Sequence, residues 1–231
     1  MKKAILCLLY SLCYTLAPGQ SADALQKGEA ARARMVQAFG GEQALGQARH
    51  LSYTLVRTTA SGDTSHTLYT LDLEKRHIRT STQTASGTEV RSIDATSNWK
   101  SINGKREELS AQEAAALQRT FFFNFIPMLQ NRQLQYTFLR AGTYQGRPVD
   151  IVRVEERATQ NPLTLDLFID QQNGQVLTSS RSDSEGRYPY FADELVYEPV
   201  GLGVIFPLVY KMVVEGEVTS VGEFKDVTLS K

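Results

Sequence analysis

The side chains suited to covalent chemistry are few in this chain and poorly spaced for it. There are three histidines, His50, His66 and His77. No two of them lie four residues apart on a helical stretch, the arrangement by which one helix offers two imidazoles to zinc. A metal site would have to be assembled from separate strands, and none is expected. The acidic neighbours Glu107-Glu108 and Glu155-Glu156 fall in strand-like stretches, where adjacent side chains point to opposite faces. They cannot work as a paired acid and base. The chain carries no nucleophile elbow, P-loop, metalloprotease helix or dinucleotide glycine motif. The expectation is a protein that is not an enzyme, with no catalytic residues and no cofactor.

What the sequence does offer is apolar binding chemistry. Ser110–Gln130, SAQEAAALQRTFFFNFIPMLQ, is the one long helical pattern in the interior of the chain. Ser110 and Glu113 form a capping box at its start. Ala114, Leu117, Phe121 and Phe125 recur at helical spacing. From Phe121 to Leu129 the stretch is apolar almost all round, so it must be covered on more than one side. Pro127 predicts a kink or an end at Ile126. Trp99 stands in an otherwise polar strand, Tyr188, Tyr190 and Phe191 gather around Pro189, and Gly201–Val209 is apolar. Ligand pockets are mostly apolar with a few polar groups. Phe121, Phe122, Phe125, Met128 and Trp99 are the candidates for lining an acyl-chain cavity. Arg57 and Arg79 sit among strand residues and are the candidates for polar contact with a head group or a lid.

The elements around that helix read mainly as strands. Asp23–Phe39 is an Ala-rich helix with a narrow apolar stripe, ended by Gly40-Gly41. Glu42–Gln47 is a short second one. Leu51, Tyr53 and Leu55 begin a run of alternating strands with turns near Ser61-Gly62-Asp63, Ser86-Gly87 and Asn103-Gly104. After the Phe-rich helix, Leu134–Tyr144, Pro148–Arg157 and Leu163–Asp170 are strands, the last the cleanest amphipathic one. Asn173-Gly174 and Asp183–Gly186 are turns, and Leu208–Gly216 and Glu223–Ser230 close the chain. Strands at intervals of roughly 8–12 residues indicate a sandwich or barrel. The lack of alternating helices argues against a parallel sheet. The fold class expected is α+β, mainly antiparallel β, with helices filling a concave face.

The N-terminus bears on location. Lys2 and Lys3 precede the apolar run Ala4–Leu16, with small residues around Ala17-Pro18-Gly19 and Ala22-Asp23-Ala24. That is the pattern of a secretory signal, expected over residues 1–22. Both cysteines, Cys7 and Cys13, fall inside it. The exported chain would then have no disulfide and no thiol nucleophile. Cys13 lacks the small-residue box of a lipoprotein, so lipid anchoring is not expected. Residues 23–231 form one domain of about 210 residues in this reading, long enough for a sizeable core. With Lys+Arg 25 against Asp+Glu 25, nothing points to a nucleic-acid partner.

Several stretches together carry a resemblance. Met35-Val36-Gln37-Ala38-Phe39-Gly40-Gly41-Glu42-Gln43-Ala44-Leu45 running into Leu51 resembles the opening of the outer-membrane lipoprotein-sorting proteins, the LolA/LolB-like periplasmic carriers and their relatives. Ile93–Trp99 is similar to an Asp-Gly-x-x-x-Trp hairpin of that group, with Ala95 where glycine is usual. Phe168–Gly174 and Val204-Ile205-Phe206-Pro207 resemble two later motifs. The resemblance implies a LolA-like unclosed half β-barrel of about eleven strands, a number at which an open sheet must curl. Helices would lie across its mouth. It also implies a periplasmic binding protein that holds a lipid or the acyl chain of a lipidated protein, as a monomer, for transport or sensing. The competing expectation is an envelope protein-interaction module that pairs an open sheet edge with a partner strand.

Overall fold

The computed structural model describes residues 22–156, 164–181, 188 and 190–231. The expected export signal up to residue 21, Arg157, Leu163, the Asp183–Gly186 turn and Pro189 lie outside the described residues.

Helices α1 (Ala22–Ala38) and α2 (Gly41–Gln47) lead into β1 (His50–Thr59), β2 (Thr64–Asp72), β3 (His77–Thr84), β4 (Gly87–Ile93), β5 (Asn98–Ile102) and β6 (Lys105–Glu108). Two further helices, α3 (Ala111–Phe122) and α4 (Phe125–Gln130), connect to β7 (Leu134–Tyr144), β8 (Arg147–Glu156) and β9 (Thr164–Asp170). β10 (Val176–Ser180), β11 (Tyr190–Gly201), β12 (Val204–Val214) and β13 (Glu217–Ser230) complete the chain.

All thirteen strands belong to one sheet, ordered β6-β5-β4-β3-β2-β1-β13-β12-β11-β10-β9-β8-β7. Neighbours are antiparallel throughout the described pairings, and β6 and β7 form its two edges. The sheet is unclosed. Register shifts interrupt the β1–β13, β7–β8 and β11–β12 pairings, and such bulges bend and twist a sheet. The class and openness agree with the sequence expectation, with thirteen strands among the described residues in place of about eleven.

The inner face and the four helices share one core. Leu51, Leu71, Ile78, Val152, Leu167 and Phe206 meet Met35 of α1, Leu45 of α2, Phe121 of α3 and Met128 of α4, all buried. β9 illustrates the logic. Leu165, Leu167 and Ile169 turn inward to that core, while Asp166, Phe168 and Asp170 turn outward. Outside, Phe168 joins Val149 and Ile151 in a second, smaller cluster covered by Tyr144, Tyr188 and Phe191. There Arg153 donates from Nε and Nη2 to the two oxygens of buried Asp166 at 2.8 and 2.9 Å, and Tyr188 donates to the same carboxylate at 3.1 Å.

The two edges differ. β6, Lys-Arg-Glu-Glu, is short and exposed at every position, a composition that discourages strand addition. β7 is packed by α1, where Gly28 comes so close that an added Cβ would lie 2.1 Å from the Tyr136 carbonyl oxygen.

The Phe-rich stretch breaks earlier than its proline predicts. α3 ends at Phe122, and Asn124 caps α4 by accepting from the Ile126 amide at 3.3 Å. Pro127 therefore sits in the first turn of a new helix, where no amide bond is lost. The start is as expected: the Ser110–Glu113 capping box is present in both directions.

Candidate functional site

The α3–α4 turn stands over the inner face and leaves a half-open cleft of about 520 Å³ beneath it. Phe123, Asn124, Phe125 and Thr120 form its roof. Its inner end is aromatic, built from Tyr53 of β1, Phe206 of β12 and Phe224 of β13. Tyr53 stacks on Tyr69 with ring centroids 4.9 Å apart, and Phe224 meets Tyr53 edge-on at 5.1 Å. Leu55, Leu195, Pro207 and Met212 add aliphatic wall. The alternation of β1 places Tyr53, Leu55 and Arg57 on this one face.

Arg57, Ser65, Thr67, Thr120, Asn124 and Ser179 bring polar side chains to the lining. Asn124 donates from Nδ2 to the Tyr53 hydroxyl at 3.2 Å, linking roof to floor. Arg57 donates from Nε to Ser220 Oγ at 3.1 Å. Burial pushes the Tyr53, Tyr69 and Tyr210 hydroxyls above the ordinary phenol value, so all three stay protonated donors at neutral pH.

The sequence candidates fall in different places. Phe125 and Arg57 line the cleft. Phe125 also stacks on Phe39 at 5.2 Å, which fixes the roof to the end of α1. Phe121 and Met128 are buried core residues. Phe122 with Phe121 lines a smaller pocket of about 270 Å³ against Ile78 and Ile93. Trp99 lies on the outer face, because its neighbour Lys100 reaches inward to Glu113 of α3 at 2.8 Å. Its ring faces the Arg106 and Arg79 guanidiniums at 4.3 and 5.9 Å. Arg79 is therefore an outer-face residue too.

Among the cleft residues that sequence reasoning left out are Tyr53, Tyr69, Tyr210, Phe206 and Phe224. Tyr53 and Tyr69 keep the parity of Leu55 and Leu71, so strand alternation carried their signal. The sequence reading assigns no face to the last two strands, so Phe206, Tyr210 and Phe224 are not marked as inward. Which strands face each other across the cleft was not visible.

Among the described residues, no cluster of three or more His, Cys, Asp or Glu is arranged to hold a metal. Among the described residues, a histidine ring meets a serine hydroxyl where His77 Nε2 lies 2.8 Å from Ser92 Oγ. Neither residue lines the cleft.

An antiparallel sheet that curls without closing, roofed by helices over a half-open cleft, defines a half-barrel class of protein. Within that class the chain has the LolA-like fold. It is similar to a LolA superfamily protein from Nitrosomonas europaea, with TM-score 0.58 and 12% identity over 90% of this chain and 94% of that one. A DUF1329 family protein from Desulfovibrio piger matches with TM-score 0.58 and 10% identity, over 89% and 93% of the two chains. A domain described as outer membrane lipoprotein-sorting, from Vibrio parahaemolyticus, matches with TM-score 0.56 and 11% identity, again over 89% and 93%. No family model and no curated protein matches the chain.

Proposed function

We propose that this is an exported, non-enzymatic binding protein of the periplasm that holds the acyl chain of a lipid or lipidated protein in the cleft, for transport or sensing. The observation that carries the reading is the cleft itself: about 520 Å³, open on one side, and walled mainly by aromatic and aliphatic side chains. That volume lies within the ~300–1,000 Å³ of small-ligand sites. Each methylene buried there contributes about 0.8 kcal/mol, so a chain needs few polar contacts to bind. The fold it shares with the lipoprotein-sorting domain supports the same reading.

The residues proposed to touch the chain are Phe125, Tyr53, Leu55, Phe206 and Phe224. Phe121, Phe122 and Met128 act behind this wall by supporting the roof. Residues 23–231 are proposed to act as one domain, released from the signal segment on export.

The test is native mass spectrometry of the protein purified from envelope extract, followed by organic extraction. A co-purifying acyl species, or uptake of added fatty acid, is the expected result. A clean apo mass with no uptake would favour the other reading, an envelope protein partner bound without lipid. That partner would have little free edge to pair with, given charged β6 and the α1 packing on β7.

A further inference from the structure

The cleft is not uniform, and its charge is one-sided. Arg57 is the one charged side chain among the described residues that line it. Among those residues no carboxylate lies within ion-pair distance of Arg57; Arg91, the next guanidinium beside Tyr69, is already paired with Glu89 at 2.8 Å. Arg57 is held in place by the buried Ser220 hydroxyl. It lies in a cross-strand row, Ser65–Arg57–Gly222–Tyr210, over β2, β1, β13 and β12. The row carries a cation and two hydroxyls, while the aromatic end formed by Tyr53, Phe206 and Phe224 lies one pleat or more along the strands.

Building on the acyl-binding reading, we infer that the cleft selects a single-chain amphiphile with an anionic head, a long-chain carboxylate whose head sits at Arg57. Size limits the tail. A methylene occupies about as much room as a water, ~30 Å³, so about 520 Å³ holds on the order of seventeen such groups. That accommodates one long chain and not the two of a long-chain diacyl lipid. Charge sets the head. A carboxylate at Arg57 gains charge-assisted hydrogen bonds, with Tyr69 and Tyr210 as neutral donors nearby. An alcohol of equal length buries the same tail and gains little from the guanidinium.

The test is displacement of the neutral fluorophore N-phenyl-1-naphthylamine by tetradecanoate and by tetradecan-1-ol, with native mass spectrometry for stoichiometry. The expected result is one chain per protein and a preference for the carboxylate of about tenfold, the low end for a hydrogen bond to a charged group at an exposed site. Arg57→Gln should bring the ratio to about one, and Arg57→Lys should keep part of the preference. Equal affinity for the two in the unaltered protein would overturn the inference, as would a preference that survives Arg57→Gln. Both results leave the acyl-binding reading standing. If neither chain displaces the fluorophore or binds in the mass spectrum, that reading fails with it.

Discussion

The ring of Tyr210 lies across Gly222, its partner on the next strand. A Cβ built on Gly222 would sit 2.2 Å from a ring carbon of Tyr210. The missing side chain is what lets the phenol lie flat along the cleft floor. Gly222→Ala should therefore push the ring away from this position. The atoms that must yield are the far end of a flexible side chain, so the stability cost should stay under about 1 kcal/mol, or roughly 2–4 °C in melting temperature. Acyl-chain affinity should fall by much more than that small shift suggests. Unchanged affinity in the alanine variant would show that Tyr210 does not shape the bound cargo.

Asn124 carries two bonds at once. It caps α4 through Oδ1 and donates to buried Tyr53 through Nδ2. Loss of a cap costs about 1 kcal/mol, and an orphaned buried hydroxyl costs about as much again. Asn124→Ala should lower the melting temperature by roughly 4–8 °C for a chain of this length. Asn124→Asp keeps the cap and can accept from the Tyr53 hydroxyl, so it should cost less. Calorimetry on the two variants decides the order.

Gly28 sets propensity against packing. Alanine is better than glycine in a helix by about 1 kcal/mol. Here the Cβ would meet backbone, the Tyr136 carbonyl, at 2.1 Å. Backbone cannot step aside as a side chain can, so packing wins. Gly28→Val should destabilise by about 1–3 kcal/mol and loosen α1 from the β7 edge. Urea denaturation would give the cost, and light scattering should detect self-association through the uncovered strand.

Glu113 makes the α3 roof sensitive to acid. Its hydrogen bonds from Lys100 and from Ser110 hold the carboxyl well below the usual glutamate range, at about 2. A carboxyl with a lowered folded value contributes stability that is fully present above its unfolded value of 4.5. That contribution is lost as pH falls from there towards about 2. The acid limb of the stability curve should therefore be shallower in Glu113→Gln, and the variant should lose stability relative to the parent at pH 7 but not at pH 2. Superimposable acid limbs would remove Glu113 as a determinant.

The sequence made the elements visible but not their opposition across space. β1, β2 and β9 were legible because Tyr53, Leu55, Leu71, Leu165 and Leu167 alternate cleanly. β11 was not: Tyr190–Gly201 carries Asp193, Glu194 and Pro199, Glu194 has φ 50°, and three register shifts scramble its alternation. The Phe-rich segment was recognised as the roof, yet its faces could not be assigned while its break was placed at Pro127. Asn124 moved that break, turning Phe121 into the core and Phe125 into the cleft. Trp99 attracted notice because it is solitary among polar residues. The parity of Lys100, anchored inward by Glu113, sends it outward.

The seam between β1 and β13 has a consequence for the order of folding. β1–β6 and β7–β13 are each meanders of short-range pairings, which close quickly. Among the described strand pairings only the seam, where His50 meets Ser230 and Leu51 meets Leu229, joins strands far apart in sequence and must overcome a long loop closure. The cleft straddles that seam, with Arg57 and Tyr69 on one bank and Tyr210 and Phe206 on the other. Neither half contains it alone. On this hypothesis the binding site is the last feature the chain acquires, and pulse-labelled hydrogen exchange should find the β1–β13 amides protected after those within each meander. Cargo that bridges the two banks would then act as a clasp, slowing the first step of unfolding.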